Sequence, residues 1–281
     1  MTDAAFQSYL DQWLASDPQQ RVALGFLDPA LRNGHVALAA LEREIVGAAY
    51  GIREAQVAAV KLNWWAEELS GARASGGRHP LTRVLFNQPQ ADVLPLTLWI
   101  APVLAAMGQL EEGTAADFPA QVAATSILHG ALARLETAWW FGVGADPGRA
   151  SVVATQAHLL GSLAMVDEHS EVERLALPMA RMARFGLTRA GLRTDNPARR
   201  DAVRAQSGDI AAALRQAAPS EAPLSLFRAM TLRQARRRAE QAARAVEPLA
   251  VLKQPQAVGG PSTALFAWRA ARNSRRALNS R

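Results

Sequence analysis

Asp167 and Glu171 stand four residues apart in a stretch with helical periodicity, so on a helix both carboxylates leave from one face. Such a pair suits magnesium, which takes carboxylate oxygens together with the oxygens of a substrate phosphate. The same two residues belong to an acidic run, Asp167 to Glu173, near a helix end. On spacing alone, a solvated acidic turn is the stronger reading. Other chemistries find no support. The chain has no cysteine, which removes disulfides, thiolate zinc sites and thiol nucleophiles together. Its five histidines are scattered, and none pairs with another at metal-ligand spacing. Gly142 to Gly148 resembles a phosphate loop, but it follows a helix rather than a strand and reads as a turn.

The elements that must carry any site are helices. Lys61-Leu62-Asn63-Trp64-Trp65 sits in the middle of one, over Arg53 to Leu69. Neighbouring residues on a helix point about 100° apart, so burying both tryptophans requires a helix enclosed on more than one side. Before it, Asp28-Pro29 signals a helix start and Asn33-Gly34 a break, ahead of an apolar run from Val36 to Tyr50. After it, His79-Pro80 opens a short helix through Phe86. Val93 to Leu110 carries no charge, but Pro95 and Pro102 make it a poor membrane span. It reads as one buried helix or as two meeting at Pro102. Helices follow over about 119–141 and 150–171, then short basic ones over 179–216, then 225–247 and 263–278. No β-alternating run appears. The expectation is an all-α chain of roughly ten helices, residues 1–281 forming a single domain.

Composition divides along the chain. Residues 1–178 hold 11 Lys and Arg against 19 Asp and Glu, while residues 179–281 hold 20 against 6. The C-terminal third therefore looks suited to an anionic partner: a diphosphate, an acidic membrane or nucleic acid. Arg228, Arg233, Arg236, Arg237, Arg238 and Arg244 would form that surface on one helix. No aromatic residue is interleaved among them for base stacking, so nucleic acid is the weakest of the three. The N-terminus shows no basic segment followed by an apolar one, so no signal peptide is read. A cytoplasmic protein is expected, with peripheral membrane contact left open.

Several segments, in order, resemble the squalene/phytoene synthase family. They are Ala40-Leu41-Glu42-Arg43-Glu44-Ile45, Lys61 to Trp65, His79-Pro80-Leu81, Ala124-Thr125-Ser126 and Glu173-Arg174-Leu175-Ala176-Leu177-Pro178. The resemblance spans about residues 20–250 and is closest to the branch containing the mitochondrial complex I assembly-factor relatives. It implies the isoprenoid synthase fold, with helices around a central cavity. It also implies two aspartate-rich motifs that hold Mg2+ against prenyl diphosphates. Spacing back from Trp64 places the first motif within Glu44 to Gly51, where only Glu44 is acidic. The second motif would put its aspartates at Met165 and His169.

Three functions follow from the resemblance and the charge. In the first, the metal motifs are degenerate, and a non-catalytic or catalytically altered protein binds an isoprenoid-like lipid or a protein partner. In the second, an active head-to-head prenyltransferase uses Glu44, Asp167 and Glu171 as magnesium ligands, with Arg53, Lys61 and Arg174 clamping diphosphate. In the third, the basic C-terminal helix contacts an acidic membrane. Trp64, Trp65, His79 and Pro80 mark the fold in all three.

Overall fold

The structure, a computed structural model, describes residues 4–168, 173–218, 221–255 and 259–279. Among these are fifteen α-helices, one short 3-10 turn and no strand. The chain opens with α1 (Ala4–Ser16), which packs on α3 (Pro29–Gly51), and α2 (Gln20–Leu24), which packs against two helices near the C-terminal end of the chain. Asp28 starts α3 by accepting from the Ala30 N–H, with Pro29 at the first helical position. The helix then runs unbroken through Asn33-Gly34, where the sequence suggested a break. Gly34 serves close packing instead: a Cβ there would sit 3.0 Å from the Gln88 side chain and 3.1 Å from Trp139.

The tryptophan pair lies on α4 (Ala55–Ser75), which ends at Gly76 and Gly77, both at positive φ. Only Trp65 is enclosed, at 1% exposure; Trp64 is 37% exposed, so the helix is covered on one side rather than two. The short α5 (Pro80–Phe86) and α6 (Pro89–Val93) fold back against α3 and lead into α7 (Leu96–Gly108). Pro102 lies inside α7 without splitting it. Buried Trp99 and Val103 pack α7 against α4 and against α8 (Phe118–Phe141), the longest helix.

α9 (Gly148–Ala164) lies alongside α8 and stops about two turns earlier than the periodicity suggested, turning at Met165. The 179–216 region is not a set of short helices throughout. After α10 (Met179–Arg184) and α11 (Arg189–Arg193) comes the long α12 (Pro197–Ala217). The segment expected over 225–247 is α13 (Leu226–Ala242), followed by α14 (Pro248–Lys253), and the terminal helix is α15 (Pro261–Asn279).

Two apolar clusters hold these helices. One gathers α1, α3, α4, α5, α7, most of α8 and the start of α13. The other joins α9 to α12 and α13. Between them α3, α8, α9 and α13 leave a space that α1 and α2 close at one end. Among the described residues, no helix is long and apolar enough to cross a membrane.

Candidate functional site: a tiered cavity between α3 and α8

The space between the two clusters is a cavity of about 370 Å³, within the size range of small-molecule sites. Its wall is half apolar, with Trp13, Leu38, Val46, Trp140 and Phe227 among the lining residues. The other half is unusually polar for a protein interior: His35 and Glu42 on α3, His129 and Glu136 on α8, His158 on α9 and Arg228 on α13.

Helix geometry sets these groups in tiers. His35 and Glu42 are seven residues apart on α3, and so are His129 and Glu136 on α8; two turns of helix return each pair to one face. The helices run antiparallel, so His35 meets Trp139 and Trp140, Glu42 lies level with Glu136, and Tyr50 reaches His129. Successive tiers are therefore roughly 10 Å apart along the helix axis.

The central tier is an ion knot. Arg228 Nη2 donates to Glu42 Oε1 at 3.0 Å and Oε2 at 2.9 Å, while its Nε donates to Glu136 Oε2 at 2.8 Å. Ser225, the N-cap of α13, donates to Glu136 Oε1 at 2.5 Å and accepts from the Arg228 N–H. Burial works against the Arg228 charge, but Glu136 and Glu42 together outweigh it and hold the guanidinium firmly protonated. Burial also pushes the Glu42 carboxyl up, opposed by Arg228 and reinforced by Glu136. The knot therefore leaves the cavity without a net positive centre.

At one end, His35 stacks on Trp140 with ring centroids 3.7 Å apart, and its Nδ1 accepts from the Trp139 indole N–H at 3.1 Å. Burial lowers its pKa to about 4. Trp140 and Trp13 both make edge contacts with Phe227, which closes this end with aromatic rings.

At the other end, the rings of Tyr50 and His158 lie 4.2 Å apart, and those of His129 and His158 4.4 Å. The Arg174 guanidinium sits 4.4 Å from the centre of the Tyr50 ring. Gln109 Oε1 accepts from both Tyr50 OH, at 2.9 Å, and Arg174 Nη1, at 3.1 Å. Thr114 holds the segment carrying Arg174 by donating to Glu173 O and accepting from the Leu175 N–H. Burial, with Arg174 adding to it, lowers His158 to about 4; His129 is lowered well below its ordinary value by burial, His158 and Arg228. Burial raises Tyr50 to about 12, against the opposing pull of Arg174.

The residues expected to bind metal and diphosphate fall elsewhere. Glu44 accepts from Lys61 Nζ at 2.9 Å and lies 3.6 Å from Arg43. Asp167 lies beyond the end of α9, in a turn, so the helical face it was expected to share with Glu171 does not extend to it. Its carboxylate pairs with Lys253 at the end of α14, at 2.8 Å, and Glu168 pairs with the same ammonium at 2.8 Å. Glu171 and His169 lie outside the described residues. Arg53 is exposed in the turn between α3 and α4. Of the three cations, Arg174 alone reaches the end of the cavity, and there it is occupied by Tyr50 and Gln109. Among the described residues, no three histidine or carboxylate side chains converge on a point where they could hold a metal ion. Of the donors implied for magnesium, Glu44 and Asp167 are thus each paired with a lysine.

The Trp-Trp helix and His79-Pro80 form a structural knot. Buried Glu68 accepts from the backbone N–H groups of Arg78 and His79 at 2.7 and 2.9 Å, from Thr82 Oγ1 at 2.5 Å and from Arg78 Nε at 2.9 Å. Burial alone would raise its pKa; these bonds outweigh burial and bring it to about 2. His79 caps α5, accepting from the Leu81 N–H, and its Nε2 lies 2.8 Å from Tyr9 OH.

The basic surface also needs correction. Arg228 is buried in the ion knot, Arg238 donates to the Leu252 carbonyl, and Arg233 donates to the Ser262 carbonyl at 2.8 Å. Arg237 and Arg244 remain exposed as expected, and further exposed arginines stand on α15, where Arg269, Arg272, Arg275 and Arg276 surround a 44% exposed Trp268. The sequence reading missed His35, Glu42, Tyr50, His129, Glu136 and His158. The available signal was the seven-residue His-to-Glu spacing repeated on two apolar helices.

No family model matches this chain, and no curated protein matches it in sequence. Solved structures do. One is a dehydrosqualene synthase in complex with ligand: 12% identity, TM-score 0.69, 98% of this chain and 98% of that chain covered. Another is squalene synthase HpnC from Alicyclobacillus acidocaldarius: 18% identity, TM-score 0.55, 97% and 93% covered. The all-α architecture is therefore that of the isoprenoid synthases.

Proposed function

We propose that this protein is a squalene/phytoene synthase relative that holds an isoprenoid-like lipid in its central cavity and does not carry out the magnesium-dependent condensation. The observation that carries this reading is the contact between Tyr50 and His158. Tyr50 belongs to the segment where the resemblance puts the first aspartate motif, and His158 lies about two turns before the second. Where the first motif's segment faces α9, it meets an imidazole rather than a carboxylate, about two turns short of the position at which a second cluster would help neutralise a leaving diphosphate.

The electrostatics support the same reading. The buried cation of the cavity, Arg228, is already shared between two carboxylates. A diphosphate drawn inward would face Glu42 and Glu136, and the other lining cation, the half-exposed Arg43, already lies beside Glu44. Leu38, Val46, Trp140 and Phe227 offer an apolar surface to a prenyl chain. The names of the two similar structures, squalene and dehydrosqualene synthase, point to prenyl compounds as the class to test.

The test is a pair of assays on the full chain. Tryptophan fluorescence follows titration with a prenyl alcohol, since Trp13 and Trp140 line the cavity. In parallel, diphosphate release is measured from farnesyl and geranylgeranyl diphosphate with Mg2+. Saturable, magnesium-independent binding without diphosphate release is expected. Magnesium-dependent turnover would overturn the proposal and restore the prenyltransferase.

A further inference from the structure

His35 is 6% exposed and lines the cavity, and it is held in a single orientation from two sides. Its ring lies flat on Trp140, 17° from parallel, and its Nδ1 accepts the Trp139 indole proton. An imidazole that accepts at Nδ1 while neutral carries its proton on Nε2. That N–H is a donor, and it finds no acceptor within the protein. It is not among the polar atoms sealed away from the cavity space, so a ligand entering there can reach it and supply the acceptor.

The surroundings define what that acceptor can be. Asp17 and Gln20 also line the cavity, and Gln20 Nε2 donates to both Asp17 Oδ2 and the Phe227 carbonyl. Asp17 Oδ1 and Gln20 Oε1 are buried and take no partner in the protein. The end closed by Trp13, Phe227 and Trp140 thus combines one fixed donor, unpaired acceptors and aromatic walls. A neutral oxygen suits such a place. An anion would meet the Asp17 carboxyl and the carboxylates of the ion knot.

We propose that the aromatic end of the cavity is a head-group subsite, where His35 Nε2–H donates to the hydroxyl or carbonyl oxygen of an uncharged prenyl lipid. This rests on the lipid-binding reading above and specifies the ligand within it. The prenyl chain extends from the subsite past Leu38 and Val46. The aromatic rings exclude water from the hydrogen bond, so the head is selected for having an acceptor and for lacking charge.

The full chain is titrated with farnesol, with the hydrocarbon farnesene and with farnesyl diphosphate plus Mg2+, following tryptophan fluorescence. Farnesol is expected to bind about tenfold more tightly than farnesene, the worth of one buried hydrogen bond. His35→Phe keeps the stacking on Trp140 but has no donor, so the two affinities should come within about twofold. Because that variant also strips Trp139 of its acceptor, a second measurement needs no mutation. The His35 Nε2 nitrogen resonance in uniformly ¹⁵N-labelled protein should move on adding farnesol and stay in place with farnesene. If farnesol and farnesene bind equally, the head-group subsite is wrong while the lipid-binding cavity stands. If neither binds, both readings fall. Tighter, magnesium-dependent binding of the diphosphate overturns both as well.

Discussion

Two buried carboxylate knots lie in this molecule, and they do opposite jobs. Glu68 is answered by Arg78, His79 and Thr82, all within fourteen residues of it in the chain. Glu42 and Glu136 are answered by Arg228, which is 186 and 92 residues away. The first is local, complete and remote from the cavity; it locks the turn that joins α4 to α5. The second brings α3, α8 and α13 together and forms the cavity wall. A local knot can be assembled as its own segment folds, whereas the long-range one exists only when the whole bundle has closed. The Trp-Trp and His-Pro part of the sequence signature is therefore separate from the candidate site, which takes Glu42 and Arg174 from the other signature segments.

The sharpest way to break the comparison is to remove the cation of the long-range knot. Arg228→Met leaves Glu42 and Glu136 buried side by side without compensation, and a loss of about 3–5 kcal/mol is expected. Urea denaturation measures it. Adding Glu42→Gln and Glu136→Gln to the same chain should recover most of that loss, since the uncompensated charges are then gone. If Arg228→Met alone were as stable as the parent, the knot would not be holding the three helices together.

Acid separates the two regions by degrees. His35 and His158 take up a proton near pH 6.5 when unfolded and only near 4 when folded. Between those values the unfolded chain binds more protons, so stability falls as pH drops from about 6.5 to about 4. Each ring contributes about 2 kcal/mol of that loss by pH 5. Glu68 has its folded pKa lowered from 4.5 to about 2, so its contribution is complete above 4.5 and fades only as pH falls towards 2. Melts recorded from pH 7 to pH 5 should therefore weaken through the cavity histidines, with a contribution from His79, whose pKa burial also lowers, while the Glu68 carboxylate stays ionised. His158→Gln should flatten the pH 5–7 slope, and Glu68→Gln should leave it unchanged. A slope insensitive to His158 would mean that the imidazole is not buried as a neutral ring.

How far the sequence disclosed this follows from the same contrast. Trp65, Glu68 and His79-Pro80 are close in the chain, and their spacing marks both the helix and the turn. Trp64 misled, because two adjacent tryptophans say nothing about how many neighbours cover the helix. Asn33-Gly34 misled in another way: the glycine is there for the approach of Trp139, a partner more than a hundred residues away. The cavity groups were hidden for a related reason. A histidine in an apolar helix has no local mark that distinguishes a ring stacked on tryptophan from one in solvent. Arg228 lay within a basic segment whose charge count concealed one buried guanidinium among exposed ones. Only the repeated His-to-Glu spacing on α3 and α8 was open to view, and it acquires meaning once the two helices are seen to run antiparallel.

The smallest expected effect bears on the acidic residues that first suggested a metal. Lys253 holds Asp167 and Glu168 at the protein surface, and both carboxylates raise its pKa. Ion pairs in such exposed positions contribute about 0–1 kcal/mol, so Lys253→Ala should shift the melting temperature little. The informative measurement is the same melt with millimolar Mg2+ added. If the lysine were all that kept these carboxylates from a metal, the variant would gain stability with magnesium concentration as a bound ligand requires. With no second carboxylate cluster facing them among the described residues, no such gain is expected. A magnesium-dependent rise of several degrees in Lys253→Ala would bring the acidic turn back as a metal site. It would also make the contrast between a structural knot and a functional one a matter of a single lysine.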